Sequence, residues 1–577
     1  MDYKERYLNW LENPSIDEAT KEELRSIAGN ETEIEERFFQ DLEFGTAGLR
    51  GVIGAGTNRM NQYTVGKANQ GLANYIIKKG KQDKGVAISF DSRHMSKEFT
   101  ELSALILNAN GIKTYVFETL HPTPMLSFAV RYYGCTAGIM ITASHNPREY
   151  NGYKAYWSDG CQVSAPKDKE IIDEVNAVTD FNSIKKMDKA EAIKAGLYNV
   201  IPESFDDEYM KKVMEQSLNS DLVKSMAKDF TIVYTPLNGT GNIPVRRILS
   251  MVGFENVFVV PEQEMPDGDF TTVPYPNPED PKAFEYAIKL AKEKNADIIV
   301  GTDPDADRMG SVVKNKDGSY SVISGNMAGA LLADYVLSQR TEKGLMPKNP
   351  ALIKTIVTSR MTNEIAKKYN TTVFDVLTGF KHIAGKIRQF DKTHDYNFVF
   401  GFEESFGYLS GDYVRDKDAV VATMLICELA ALYKSRGLTL ADGIEELYQK
   451  YGYFGDRVKS LTLTGLDGLE KIHKIMVELR KNQPKELGGI EIAAIGDYQT
   501  GDIMEIATGK VTKSDLPSSD VLQYTLADGS WICIRPSGTE PKIKIYTGTK
   551  ADTMDAATAL ADKIEGGMLS IIDKIIG

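Results

Sequence analysis

The stretch that decides the fold is Gly138-Ile-Met-Ile-Thr-Ala-Ser-His-Asn-Pro147, a short apolar, β-branched run that breaks at once into a polar turn. Pro147 keeps Asn146 out of the helical region, so the strand cannot pass into a helix there. Upstream stand two further runs of the same kind, Val86–Phe90 and Thr114–Glu118, with Glu98–Asn110 patterned for a helix between them.

The rhythm recurs twice. Thr231–Thr235, Asn256–Val260 and Asp297–Gly301 surround a helical pattern over Asp280–Asn295 and lead into Thr302-Asp-Pro-Asp-Ala-Asp-Arg308. Leu352–Thr358, Thr372–Val376 and Asn397–Gly401, with Met361–Tyr369 between the first two, lead into Gly401-Phe-Glu-Glu-Ser-Phe-Gly407. Strands alternating with helices predict βαβ units and mainly parallel sheets, whose ligands bind beyond the carboxyl ends of the strands. From about Tyr453 the pattern changes to Val458–Thr464, Val521–Leu526, Trp531–Arg535 and Ile543–Tyr546 around a helix near Leu469–Arg480. That is an α+β module. The expected division is three related α/β domains, 1–205, 206–324 and 325–452, followed by an α+β domain, 453–577.

Size agrees, because 577 residues exceed the roughly 250–300 that one core supports. The 42% hydrophobic and 26% charged content is that of a soluble globular chain. A net charge of −13 argues against general nucleic-acid binding, which needs a basic surface. No signal peptide or membrane-length apolar run is present, so a cytoplasmic location is expected. Four cysteines without CxxC spacing read as buried free thiols.

The polar loops carry the chemistry. Ser144 lies in a turn without a Gly-x-Ser-x-Gly elbow, which leaves a serine hydrolase poorly supported. A serine there is either a turn cap or a phosphoryl carrier. Asp303, Asp305 and Asp307 alternate, and in an extended segment they would share a hard cation. An EF-hand is excluded, since Arg308 and Lys314 stand where glycine and glutamate are needed. Arg535-Pro-Ser-Gly-Thr-Glu-Pro541 is either a polar hairpin or a cradle for a phosphate dianion. Glu403, Glu404 and Ser405 suit sugar hydroxyls. No P-loop or dinucleotide fingerprint occurs.

Taken in order, these loops resemble the α-D-phosphohexomutase superfamily. Phe44-Gly-Thr-Ala-Gly-Leu-Arg-Gly51 with Asn58-Arg-Met-Asn61 is similar to its phosphoglucomutase-2/phosphopentomutase branch. The resemblance implies four domains in a heart shape and an intramolecular phosphotransferase acting on a phosphosugar. It implies Ser144 as the phosphoserine, Mg²⁺ held by Asp303, Asp305, Asp307 and a phosphoserine oxygen, Lys154 as proton shuttle, and Arg50 and Arg308 at the active site. Lys381, Glu403 and Ser405 would contact the sugar, and Arg535, Ser537, Gly538 and Thr539 its distal phosphate. Glucose 1-phosphate is the expected substrate and glucose 1,6-bisphosphate the intermediate and primer, with pentose or mannose phosphates as alternatives. A Mg²⁺-dependent sugar phosphatase is the rival from another class, and a non-catalytic sensor the third. The chain is expected to be a monomer or homodimer. Asn238 departs from the histidine common in relatives.

Overall fold

The computed structural model describes residues 2–44, 48–463, 468–537 and 542–577. The first sheet comprises β1 (Gly48–Val52), β2 (Val86–Phe90), β3 (Thr114–Val116), β4 (Ala137–Ile141), β5 (Tyr150–Trp157) and β6 (Tyr198–Val200), in the order β1-β5-β4-β2-β3-β6. The second comprises β7 (Thr231–Thr235), β8 (Asn256–Val259), β9 (Ile298–Thr302), β10 (Met309–Lys314) and β11 (Tyr320–Val322), in the order β11-β10-β9-β7-β8. The third comprises β12 (Pro350–Thr355), β13 (Thr372–Val376), β14 (Asn397–Glu403) and β15 (Gly407–Ser410), in the order β13-β12-β14-β15.

All three obey one rule. The inner strands are parallel, and the last of them, β4, β9 or β14, turns back into an antiparallel strand, β5, β10 or β15. The polar loop in each block is that reversal. Across the three sheets parallel pairings outnumber antiparallel ones, as expected, and the antiparallel ones all lie at the edge where the chain reverses. β5 escaped the sequence pattern because it is buried along nearly its whole length while carrying Asn151 and Lys154. β2, β4 and β9 are wholly buried, as parallel strands covered by helices on both faces must be.

The three blocks share one apolar core, which runs from Ala87 and Met140 through Ile298 and Val300 to Leu352 and Val399. The helix Ala419–Ser435 is buried nearly all round and lies inside it. Each fully buried Val, Leu or Ile contributes about 1.5–3 kcal/mol relative to exposure. Such close packing holds the three reversals in fixed relation. The four cysteines are buried and free, as expected.

The fourth unit is an antiparallel sheet ordered Arg457–Thr462, Lys542–Gly548, Trp531–Pro536, Leu522–Leu526, Ile490–Asp497, Asp502–Glu505, Val511–Lys513. Helices Gly468–Lys481 and Met554–Ile576 pack against it over a separate core. It meets the third unit through a small apolar patch that sets Ile356, Val357 and Leu377 against Trp531, Cys533 and Tyr546. Arg360 adds a cation–π contact 5.7 Å from the Trp531 ring and a bond to Gly529 O at 2.9 Å. Among the described residues no helix is long and apolar enough to cross a membrane.

Asp456 stands on the strand of chain joining these two units. Burial pushes its carboxyl up to about 6, against the opposing effect of the Ser359 hydroxyl and the charges of Lys354 and Arg360. Because this exceeds the unfolded value of 3.8, the group favours the folded state below about pH 4, and that contribution disappears as pH rises through about 6. It amounts to on the order of 3 kcal/mol. Asp456→Asn is expected to flatten the fall in Tm across that interval in thermal melts. An unchanged slope would contradict the assignment.

Candidate active site

Ser144 sits just past β4 with φ 53, in the left-handed region, and is almost fully buried. Its amide donates to Thr142 Oγ1 at 2.8 Å, and the Thr142 hydroxyl donates to Asp91 Oδ2 at 2.6 Å. The Ser144 hydroxyl donates to Asp303 Oδ2 at 2.8 Å. The first two polar loops thus meet at the serine oxygen. His145 Nδ1 lies 3.1 Å from the same oxygen. Burial and the charges of Arg308 and Arg50 hold this imidazole well below its ordinary pKa, so it is neutral at pH 7.

The aspartates converge through a tight turn, not through strand alternation as expected. Ala306 adopts φ 48, its amide donates to Asp303 O at 2.9 Å, and Asp303 Oδ1 accepts the amides of Asp307 and Arg308 at 3.2 and 3.0 Å. Carboxylate atoms of Asp303, Asp305 and Asp307 consequently lie within 4.8 Å of one another, all buried. Asp305 Oδ2 accepts Lys154 Nζ at 2.6 Å and the Thr123 hydroxyl at 2.7 Å. Asp307 Oδ2 is 2.9 Å from Lys417 Nζ and 3.3 Å from Lys154 Nζ.

The second oxygens, Asp305 Oδ1 and Asp307 Oδ1, have no hydrogen-bond partner among the described residues. A buried carboxylate oxygen left this way costs free energy unless something supplies positive charge. Burial, with Asp305 and Asp307 beside it, raises the Asp303 pKa well above the carboxylate range. Burial would raise Asp305 too, but Lys154 outweighs it and holds Asp305 below that range. Oxygen ligands, orphaned lone pairs and mutual repulsion together are the donor set of a hard divalent cation. The site fits Mg²⁺.

Lys154 comes from β5, and β1 lies alongside with Gly48 opposite Lys154 and Arg50 opposite Gly152. Arg50 is exposed and reaches Asn146 Oδ1 at 3.3 Å. The Arg308 guanidinium pairs with Glu279, and Met309 N donates to Phe406 O at 3.1 Å, which ties the second reversal to the third.

Lys417 was not singled out from sequence. Its signal is the charged tetrapeptide Arg415-Asp-Lys-Asp418 set directly before a helix whose first turn is wholly apolar, where charge has no structural reason to be buried. Gly407 leaves it room, since a Cβ there would lie 2.4 Å from Lys417 Cδ and 2.9 Å from Glu403 Oε1.

Glu403 belongs to β14, which runs past the expected Gly401 end and pairs Glu403 with Gly407. Only Glu404 to Phe406 form the turn. Burial pushes the Glu403 carboxyl up to about 7 although Lys417 opposes it. Glu404 is engaged separately, accepting the Thr355 hydroxyl at 3.0 Å. Ser405 is half-buried in the turn. Lys381 opens the helix Phe380–Thr393, and its carbonyl accepts the Cys161 thiol at 3.8 Å.

Burial lowers the Lys381 ammonium pKa, and the charge of Arg535 lowers it further. The fourth unit thus brings its arginine toward the third unit's lysine. His382, pushed down to about 4 by burial and the same two cations, lies beside them. Ser537 N donates to Lys542 O at 2.7 Å. Gly538 and Thr539 fall outside the described residues. Asn238 Nδ2 donates to Met265 O at 2.7 Å, and Thr240 N donates to Pro304 O at 2.8 Å. The Asn238 loop buttresses the aspartate turn from behind.

Comparison with known proteins adds independent findings. Residues 41–181, 207–318 and 324–451 match alpha/beta/alpha domains I, II and III of phosphoglucomutase/phosphomannomutase, and 479–566 match its C-terminal domain. The chain is 39% identical to a phosphoglucomutase of Staphylococcus aureus over 91% of its own length and 93% of that protein. It is 37% identical to a phosphoglucomutase of Staphylococcus epidermidis over 97% and 100% respectively. Among solved structures, the open form of parafusin, a phosphoglucomutase from Paramecium, superposes with a TM-score of 0.69 at 20% identity, covering 93% of this chain and 96% of that one. A phosphoglucomutase/phosphomannomutase family protein of Burkholderia thailandensis gives 0.64 at 18%, over 92% and 97%. At these identities the two structures speak to the fold alone.

Proposed function

Because the chain belongs to the phosphoglucomutase/phosphomannomutase family, we propose that it interconverts glucose 1-phosphate and glucose 6-phosphate with Ser144 as phosphoryl carrier. The observation that carries this reading is the Ser144 hydroxyl bonded at 2.8 Å to Asp303 inside a buried aspartate cluster. A turn serine with a capping role would have no such partner.

In the forward direction the P–Oγ bond of phosphorylated Ser144 breaks as a new bond forms from phosphorus to O6 of glucose 1-phosphate. Lys154, an ammonium paired with Asp305 and Asp307, gives a proton to Oγ as that bond breaks and recovers one from the O6 hydroxyl, so the proton count closes. Mg²⁺ held by Asp303, Asp305, Asp307 and a phosphoserine oxygen would neutralise charge on the transferring group. Arg50 and Arg308 supply further positive charge, and Glu403 and Ser405 bind sugar hydroxyls. Lys381 contacts the sugar with them, and Arg535, Ser537, Gly538 and Thr539 hold the phosphate that is not reacting. The glucose 1,6-bisphosphate so formed turns around, and its C1 phosphate returns to Ser144, leaving glucose 6-phosphate. Transfer of this kind depends on alignment and charge more than on covalent help.

The test is conversion of glucose 1-phosphate to glucose 6-phosphate, assayed with and without Mg²⁺ and the bisphosphate, with ribose 1-phosphate and mannose 1-phosphate in parallel. Mutase turnover without matching phosphate release is expected. Stoichiometric release of inorganic phosphate would replace this reading with a phosphatase, and faster turnover of the ribose ester would move it to a pentomutase.

A further inference from the structure

We propose that Arg93 is a positioning residue for phosphoryl transfer, its guanidinium fixing the direction in which Ser144 presents Oγ. The proposal rests on the reading of Ser144 as carrier. Ser144 occupies a left-handed conformation that costs a residue with a Cβ about 1–2 kcal/mol, so its surroundings must enforce it.

Arg93 does so from beneath the loop. Its Nη1 donates to Pro147 O at 2.8 Å and Tyr150 O at 3.1 Å, and its Nη2 donates to Ser144 O and Asn146 O. One side chain gathers four carbonyls from a seven-residue stretch.

The other half of the device is Asp91, whose side chain, like that of Arg93, is wholly buried. Asp91 Oδ2 lies 3.3 Å from Arg93 Nε and accepts the Thr142 hydroxyl that in turn accepts Ser144 N–H. Asp91 Oδ1 accepts the Ser96 hydroxyl and Arg93 N–H at 2.9 and 3.0 Å. Both backbone polar groups of Ser144 thus lead to one ion pair, the carbonyl directly and the amide through Thr142. With both flanking peptide planes held, χ1 is the serine's only remaining freedom. The Phe270 ring of the second sheet's unit covers the guanidinium at 4.9 Å, so the clamp is anchored on the side of the metal loop as well.

A lysine cannot substitute. Its ammonium offers three donors at a point, whereas the planar fork reaches four acceptors in two directions. A merely structural ion pair would affect stability and leave the chemical step alone, and this separates the two roles.

The experiment compares wild type, Arg93→Lys, Thr142→Val and Thr142→Ser after priming with glucose 1,6-bisphosphate. Intact mass gives the phosphorylated fraction, rapid quench gives single-turnover transfer to glucose 1-phosphate, and steady state gives KM. Circular dichroism checks folding. In folded Arg93→Lys the transfer rate is expected to fall about 100-fold, the scale of a 1 Å misplacement, with KM within about threefold. Thr142→Val is expected to lose about tenfold and Thr142→Ser to recover most of it. If Arg93→Lys fails to fold, the Thr142 pair decides. Transfer rates within about threefold of wild type in the folded variants would overturn the proposal. Wild type that accepts no phosphoryl group at Ser144 would instead overturn the carrier reading beneath it.

Discussion

Ser144→Ala is expected to reduce kcat for glucose 1-phosphate by about four orders of magnitude or more, the scale on which removing a nucleophile acts. At about 1.36 kcal/mol per tenfold, that is more than 5 kcal/mol of transition-state stabilisation. Stability should fall only modestly, because alanine carries the same Cβ strain at φ 53 and loses no more than the bond to Asp303 and the contact with His145 Nδ1. Leaving the buried Asp303 oxygen without its donor costs about 1–3 kcal/mol. The expected result is a folded protein with a modestly lowered Tm and no mutase activity. Activity within tenfold of wild type would remove Ser144 from the reaction.

The second large effect concerns the aspartates. Chelation should abolish turnover, and added Mg²⁺ should raise Tm as well as restore activity, since an ion bound only by the folded chain stabilises it by about 2.7 kcal/mol at a hundredfold excess over Kd. Asp305→Asn removes one charge and retains an oxygen to accept the Thr123 hydroxyl, so the loop has no reason to collapse. That variant should lose about a thousandfold in kcat/KM and lose the Mg²⁺-dependent rise in Tm. Lys154 would then be paired through Asp307 alone. A full Tm response to Mg²⁺ in Asp305→Asn would show that the ion binds elsewhere, whatever the activity does.

Much of this was legible in the sequence, for identifiable reasons. β2, β7 and β13 appear at their expected bounds because their apolar, β-branched runs are short and sharply ended. The polar loops were found because each directly follows a buried strand. The return strands β5, β10 and β15 were not seen, and β5 shows why. A strand that faces an active site buries polar residues such as Asn151 and Lys154, which erases the apolar signal.

Lys417 and Arg93 were missed for a related reason. Each acts through partners distant in the chain, Asp307 for one and the Ser144 loop for the other. Yet Asp91-Ser-Arg93 begins at the carboxyl end of β2, the same position that marked the three loops, and the rule could have been applied there too. The aspartate geometry was beyond reach, since alternation cannot reveal a left-handed Ala306 that folds three carboxylates together.

The most direct measurement follows one labelled phosphoryl group. Protein incubated with glucose 1,6-bisphosphate carrying ³²P should acquire about one label per chain, located by peptide mapping on Ser144, and a chase with unlabelled glucose 1-phosphate should move that label into sugar phosphate. Label that never attaches to Ser144, or that leaves it for water as inorganic phosphate faster than for sugar, would contradict the account.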